Sequence, residues 1–285
     1  MTARTARSIL ALLAGAAWLG TAAAQTPGSP APPAPAAAAP APAAKAAPSA
    51  ESLKEGKALF ARFVESLGGT AKVRTVHDVH TRGLVTAKTP DGELAMDVQT
   101  DMIFPDRISQ QVDAPFGRMS MVATPSTAFL VGPNAVQELP PEMRSELLKQ
   151  VWRVPLLLAQ KADDPKLVVA AAGTEQIGEV KALVLDVAYD GAAVRWFLDP
   201  KTLRILRSSH HSMGPQGEAQ VVSDYSDYKT VEGFPVAFHL EVMTNGNKDQ
   251  SLALDEVKFN PGVDPKLFEK PVFPTPPPAA PPPKP

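Results

Sequence analysis

The chain has 285 residues, 44% of them hydrophobic, with a formal net charge of −2 and no cysteine. That length suits one or two domains, and the lack of cysteine excludes disulfides, thiolate catalysis and cysteine-ligated zinc. The balance is mildly acidic and no basic patch stands out, so nucleic acid is not an expected partner.

Residues 1–24 read as a cleavable signal peptide. Arg4 and Arg7 supply a basic start, and "SILALLAGAAWLG" at 8–20 supplies an apolar stretch. Ala22-Ala23-Ala24 supplies the small residues of a cleavage site. The apolar run is short for a hydrocarbon core of ~30 Å, and no other run approaches that span, so the mature chain is expected to be soluble and exported, with no transmembrane segment. Residues 25–50 are almost wholly alanine and proline, as is the tail at 274–285. Such composition denies backbone donors and offers little to bury, which predicts extended linkers of polyproline character. The folded domain is thus expected over 51–273, long enough for one sizeable core.

That domain opens on a helix. Ser52-x-x-Glu55 reads as a capping box, and Phe60, Phe63, Val64 and Leu67 repeat as one buried helical face. Gly68-Gly69 ends it in the left-handed manner of a C-terminal cap, and Thr70 is placed to cap a short second turn. After Thr75 the period changes from 3.6 to 2. Leu94, Met96, Val98, Thr100, Met102 and Phe104 alternate with Ala95, Asp97, Gln99 and Asp101, as in an antiparallel strand with one solvated face. Turn signals such as "TPDG", "YDG", "DPKT" and "NGN" then punctuate runs rich in valine, leucine, threonine, phenylalanine and methionine, the spacing of a meander, sandwich or barrel.

One helical segment interrupts the strands, at 140–165. Leu147, Val151, Val154 and Leu158 form a stripe that Leu148, Trp152 and Leu156 widen. Pro155 lacks a donor and crowds the carbonyl of Val151, which predicts a kink or two short helices. So apolar a segment, inserted amid strands, must lie against the sheet.

Motifs for chemistry are sparse. His77 and His80 would point to opposite faces of a strand, as would the adjacent His210 and His211. His239 stands alone, so no metal site is predicted. There is no HExxH, no G-x-S-x-G and no glycine-rich phosphate loop; no catalytic residues and no cofactor are expected. Asp163-Asp164 before Pro165 reads as a turn or helix stop. In "SDYSDYKTVEGFPVAFHLEV" regular alternation would send Asp224 and Asp227, and likewise Tyr225 and Tyr228, to opposite faces. The stretch reads as strand, turn at Gly233, and strand.

The order of these parts resembles the LolA/LolB-like family of periplasmic lipoprotein carriers and related outer-membrane lipoprotein-sorting-like domains. An N-terminal helix ends at "LGG". "MIFPDRISQQV" at 102–112 looks like the family's strand, Pro-Asp-(Lys/Arg), strand step, filled by Pro105, Asp106 and Arg107. A leucine-rich helical segment is followed by "VRWFLDPKTLRILR", and "NPGVDPKLFEKP" resembles the family's closing motif. Thr124-Pro125-Ser126 stands where carriers have an Asp-Gly turn.

The resemblance implies an α+β, mainly β fold: an incomplete, curved antiparallel β-barrel with an N-terminal helix and an inserted helical lid. It implies a non-enzymatic protein whose apolar cavity takes up lipid or the acyl chains of a lipoprotein. The expected cavity and lid residues are Met96, Val98, Met102 and Phe104, then Met119, Met121 and Phe129, then Leu147, Val151, Trp152 and Leu156, and finally Trp196. Methionines suit a tolerant apolar pocket. The same residues also fit a permanently closed core. In that case the proline-rich arms would favour a second reading, a module that docks on an envelope protein partner.

Overall fold

The structure, a computed structural model, describes residues 47–271 apart from 91, 116, 134, 215 and 216. The expected signal peptide, most of the first linker and the tail at 274–285 lie outside the described residues.

Helix α1 (Ala50–Ser66) begins one residue inside the stretch read as linker. Its N-cap is Ser49, whose side chain accepts from the amide of Ser52. Ser52 is therefore the third helical residue, and the capping box expected at Ser52-x-x-Glu55 is not formed. Leu67 closes the helix, and Gly68, at φ 100°, takes the left-handed position beyond it. Gly68 also precedes α2 (Gly69–Val73), so Thr70 lies within that turn rather than capping it.

Thirteen strands follow in one antiparallel sheet among the described residues. They are β1 (Asp78–Thr89), β2 (Gly92–Ile103), β3 (Arg107–Ala114), β4 (Gly117–Ala123), β5 (Ala128–Val131) and β6 (Val136–Glu138), then β7 (Val168–Ile177), β8 (Val180–Tyr189), β9 (Ala192–Leu198), β10 (Ile205–Gly214), β11 (Gly217–Val231), β12 (Phe234–Thr244) and β13 (Asn247–Phe259). Their order is β6-β5-β4-β3-β2-β1-β13-β12-β11-β10-β9-β8-β7. Every neighbour is a chain neighbour except β1 with β13, and the end strands β6 and β7 do not pair, so the barrel is open.

Curvature has local causes. On β13, Asp255 is an extra residue opposite Arg82 and Gly83, and Asp249 is another opposite Val242 and Met243. Such bulges bend and twist a strand. The bulge at Asp255 also leaves Leu254 and Val257 on the same, concave side.

Two helical caps cover that concave face. Between β6 and β7 the chain forms α3 (Pro141–Trp152) and α4 (Pro155–Gln160), with Arg153 ending the first and Val154 starting the second. The break is the one expected from Pro155, which takes the first position of α4. Phe60, Phe63 and Val64 of α1, with Leu156 and Leu158 of α4, pack on Val187, Trp196 and Leu198 of the β7–β9 wing. Leu147, Leu148 and Val151 of α3, with Leu157, pack on Met96, Val98, Val112, Met119 and Met121 of the β2–β5 wing. On the convex side a 3₁₀ turn (Pro265–Phe268) lays Phe268 against Val122 and Phe129.

Helix α1 can approach β7 closely because residue 56 is glycine. A Cβ there would sit 2.6 Å from both the carbonyl oxygen of Val169 and the Cα of Ala170. Gly56→Ala should therefore lower stability by about 1–3 kcal/mol through overpacking, despite a helix-propensity gain of about 1 kcal/mol. A reduced denaturation midpoint is the expected reading, and an unchanged midpoint would contradict so tight a contact.

Candidate functional site

The helical caps leave the middle of the concave face, strands β1, β13, β12 and β11, without a helix of its own. A groove runs there in two compartments. The first, of about 240 Å³, is almost wholly apolar, with Val79, Met102, Leu156, Phe234, Leu240, Leu254 and Val257 in its wall. The second, of about 300 Å³, has Met96, Val98, Val112, Val242 and Leu252 together with Thr100, Gln110, Gln150, Arg153, His210 and Gln250. Thr81, Val154, Pro155, Tyr225, Leu240 and Leu254 line both. The compartments therefore meet under the Val154–Pro155 junction of the lid.

Tyr225 and Tyr228 both face the apolar compartment, against the expectation of regular alternation. The cause is Asp227, whose φ of 49° breaks the strand's period between them. Each phenol is anchored: Tyr225 to Ser208 Oγ at 3.0 Å, and Tyr228 donating to the carbonyl of Ile205 at 2.7 Å. Burial raises both phenol pKa values above the ordinary range. Asp224 points away and pairs with Arg207, its Oδ2 accepting from Nη2 at 2.7 Å. The two aspartates form no acid/base pair.

The lid is pinned at named points. Trp152 Nε1 donates to the carbonyl of Pro105 at 3.0 Å. Gln160 Nε2 donates to the carbonyls of Val73 and Val76 at 2.8 and 2.7 Å. Arg153 reaches across to the far wing: Nη2 donates to the carbonyl of His211 at 3.1 Å and Nε to that of Ala193 at 3.4 Å. Its charge is met by Glu146, which is 8% exposed, at 3.4 Å. Glu146 also accepts from Ser212 Oγ at 2.9 Å and from Lys149 Nζ at 3.1 Å. Burial pulls the guanidinium pKa of Arg153 below its ordinary value, against the opposing pull of Glu146. On the other side of Arg153, His210 and Ser212 lies a polar basin of about 770 Å³, with Asp186, Arg195, His211 and Glu218 in its walls.

The candidate residues from the sequence fall into distinct places. Met102 and Leu156 line the apolar compartment, and Met96 and Val98 the second. Met119, Met121, Leu147, Val151 and Trp152 pack together between α3 and its wing, beside the groove rather than in its wall, and Phe104 touches both helical cores. Phe129 is on the convex side: the register pairs it with Val122 and sets Leu130 opposite the inward Met121. Trp196 lies beneath α1, stacked on Phe60 at 6.1 Å and tilted against Phe63 at 5.0 Å, and it does not line the groove. Sequence reasoning missed Tyr225, Tyr228, Arg153 and His210. It also missed Leu240, Val242, Leu252 and Leu254, whose period-2 spacing was the available signal.

No protein-family model matches the chain, and no curated protein does either. Among solved structures, a DUF1329 family protein from Desulfovibrio piger superposes with a TM-score of 0.53 at 12% identity, over 76% of this chain and 97% of that one. A LolA superfamily protein from Nitrosomonas europaea superposes with a TM-score of 0.50 at 11% identity, over 73% and 96%. The chain has a LolA-like fold. At these identities the likeness is one of architecture. Among the described residues no helix is long and apolar enough to cross a membrane.

His210 makes the site sensitive to acid. Burial, helped by the charge of Arg153 and by His211, lowers its pKa from 6.5 to about 3. An unfolded chain takes up that proton first, so the folded state loses stability as pH falls from about 6.5 toward about 3, by up to roughly 1.4 kcal/mol per unit. Above that window the contribution is constant. His210→Gln, which does not titrate, should flatten this acid limb in urea melts taken at stepped pH. An identical limb in the variant would show that His210 is not the group responsible.

Proposed function

We propose that this is a non-enzymatic, exported carrier that holds an acyl chain of a lipid or lipoprotein in the groove beneath the broken lid. The observation that carries this reading is the groove itself. The middle of an apolar concave face is roofed at the Val154–Pro155 break of the lid, with Leu156 and Phe63 beside it and an apolar compartment of about 240 Å³ beneath. Apolar walls without a packed partner favour an apolar occupant, and each methylene taken out of water contributes ~0.8 kcal/mol. On this reading residues 1–24 direct export to the periplasm and are removed, 25–50 and 274–285 are spacers, and 51–273 form the carrier domain. A role in outer-membrane lipoprotein transport is the finer form of the proposal, and the LolA-like fold supports it.

The test is native mass spectrometry of the protein isolated without detergent. A bound mass in the lipid range, lost on delipidation and regained on adding acyl compounds, is the expected outcome. A clean apoprotein that takes up nothing would overturn the reading. Tryptophan emission gives a second check. Trp152, on the lid beside the groove, should shift on binding, whereas Trp196 beneath α1 should stay silent. Trp152→Phe should therefore abolish the shift, and its persistence would place the acyl chain elsewhere.

A further inference from the structure

The two compartments differ in polarity, and that difference bears on which amphiphile fits. The first offers apolar walls. The second adds hydrogen-bonding groups, of which Arg153, His210 and Ser212 also border the polar basin. Three of these, Gln150, His210 and Gln250, make no side-chain hydrogen bond among the described residues. All are uncharged at neutral pH, His210 because burial opposes its protonation. Among the residues lining this compartment Arg153 alone carries a charge. Glu146 meets that charge on the basin side, and the carbonyls of His211 and Ala193 occupy other donors of the guanidinium. Lys149 stands behind Glu146 and faces the basin.

An anionic head entering here would find the donors of Arg153 already directed at Glu146 and at the carbonyls of His211 and Ala193. It would lose its hydration without a compensating pair, the costly way to bury a charge. A cationic head would meet Arg153 directly. A hydroxyl, ester or amide head would instead find open donors and acceptors of the kind that discriminate by hydrogen bonding.

Building on the carrier reading above, we propose that the groove selects amphiphiles with an uncharged, hydrogen-bonding head, held by the polar lining of the second compartment, which includes Gln150, His210 and Gln250, with the acyl chain in the apolar compartment. A methylene is near the size of a water molecule, ~30 Å³, so the apolar compartment of about 240 Å³ suits a chain of roughly ten carbons, carboxyl carbon included.

Three ten-carbon probes test this on the whole protein by calorimetry at about pH 8, where the carboxylic acid is ionised: monodecanoylglycerol, decanoate and decyltrimethylammonium. Monodecanoylglycerol is expected to bind at least about tenfold more tightly than either ion, a difference of about 1.4 kcal/mol. Equal affinities, or a preference for either ion, would overturn the head-group inference and leave the carrier reading standing. No binding of any probe would overturn both. Glu146→Gln supplies a second, independent arm. It leaves the charge of Arg153 unmet inside the groove, so decanoate should gain about tenfold relative to monodecanoylglycerol. An unchanged ratio in a folded variant would show that Glu146 does not set the selectivity.

Discussion

An antiparallel sheet with one apolar face must have that face covered, and this sheet cannot do so by itself. Its end strands β6 and β7 stand at opposite ends of a thirteen-strand order, and no second sheet packs on it among the described residues. The cover must come from helices, and these are few. Helix α1 with α2 and α4 covers the β7–β9 wing, and α3 covers the β2–β5 wing. The central strands are left with the break in the lid and the flanks of the two caps. The groove is thus what remains when two caps are laid on a curved sheet wider than both.

Pro155 makes the division clean. Without an amide donor it cannot continue α3, and its ring would crowd the carbonyl one turn back. Placed at the first position of α4 it costs nothing there, since that amide would be unpaired in any case. The two lid helices consequently dock as separate bodies. Each is held by side chains that donate to backbone carbonyls: α3 through Trp152 and Arg153, α4 through Gln160. The junction between them carries no such anchor, which is why both compartments meet below it.

Much of this was legible in residue order. The face of β2 that alternates through Met96, Val98, Thr100 and Met102 is the face that lines the groove, and the stripe from Leu147 to Leu158 is the lid. The break at Pro155 follows from the chemistry of one ring. What could not be read depends on register. Phe129 and Leu130 are equally good inward residues until the pairing with β4 is known, and a slip of one residue exchanges faces. Tyr225 and Tyr228 share a face only because of the left-handed residue at Asp227, which an aspartate tolerates but does not announce. Trp196 is inward as expected, yet α1 reaches it first. The polar end was hidden for a different reason: Arg153, Glu146 and His210 come from α3 and β10 and meet only through the fold.

The buried pair of Arg153 and Glu146 is the feature that packing alone does not account for. Replacing such a pair by apolar residues is often neutral or stabilising, because desolvation offsets the attraction, and here the approach of 3.4 Å is not close. An apolar seal between the lid and β10 would serve stability equally well. It would also replace the polar wall that the groove shares with the polar basin at Arg153, His210 and Ser212. A neutralised pair ringed by a serine, a lysine and an uncharged histidine holds the lid to the far wing while keeping that boundary polar. On the proposed carrier reading the position of the pair counts for more than its strength: it ties the end of α3 to the far wing where the groove borders the polar basin.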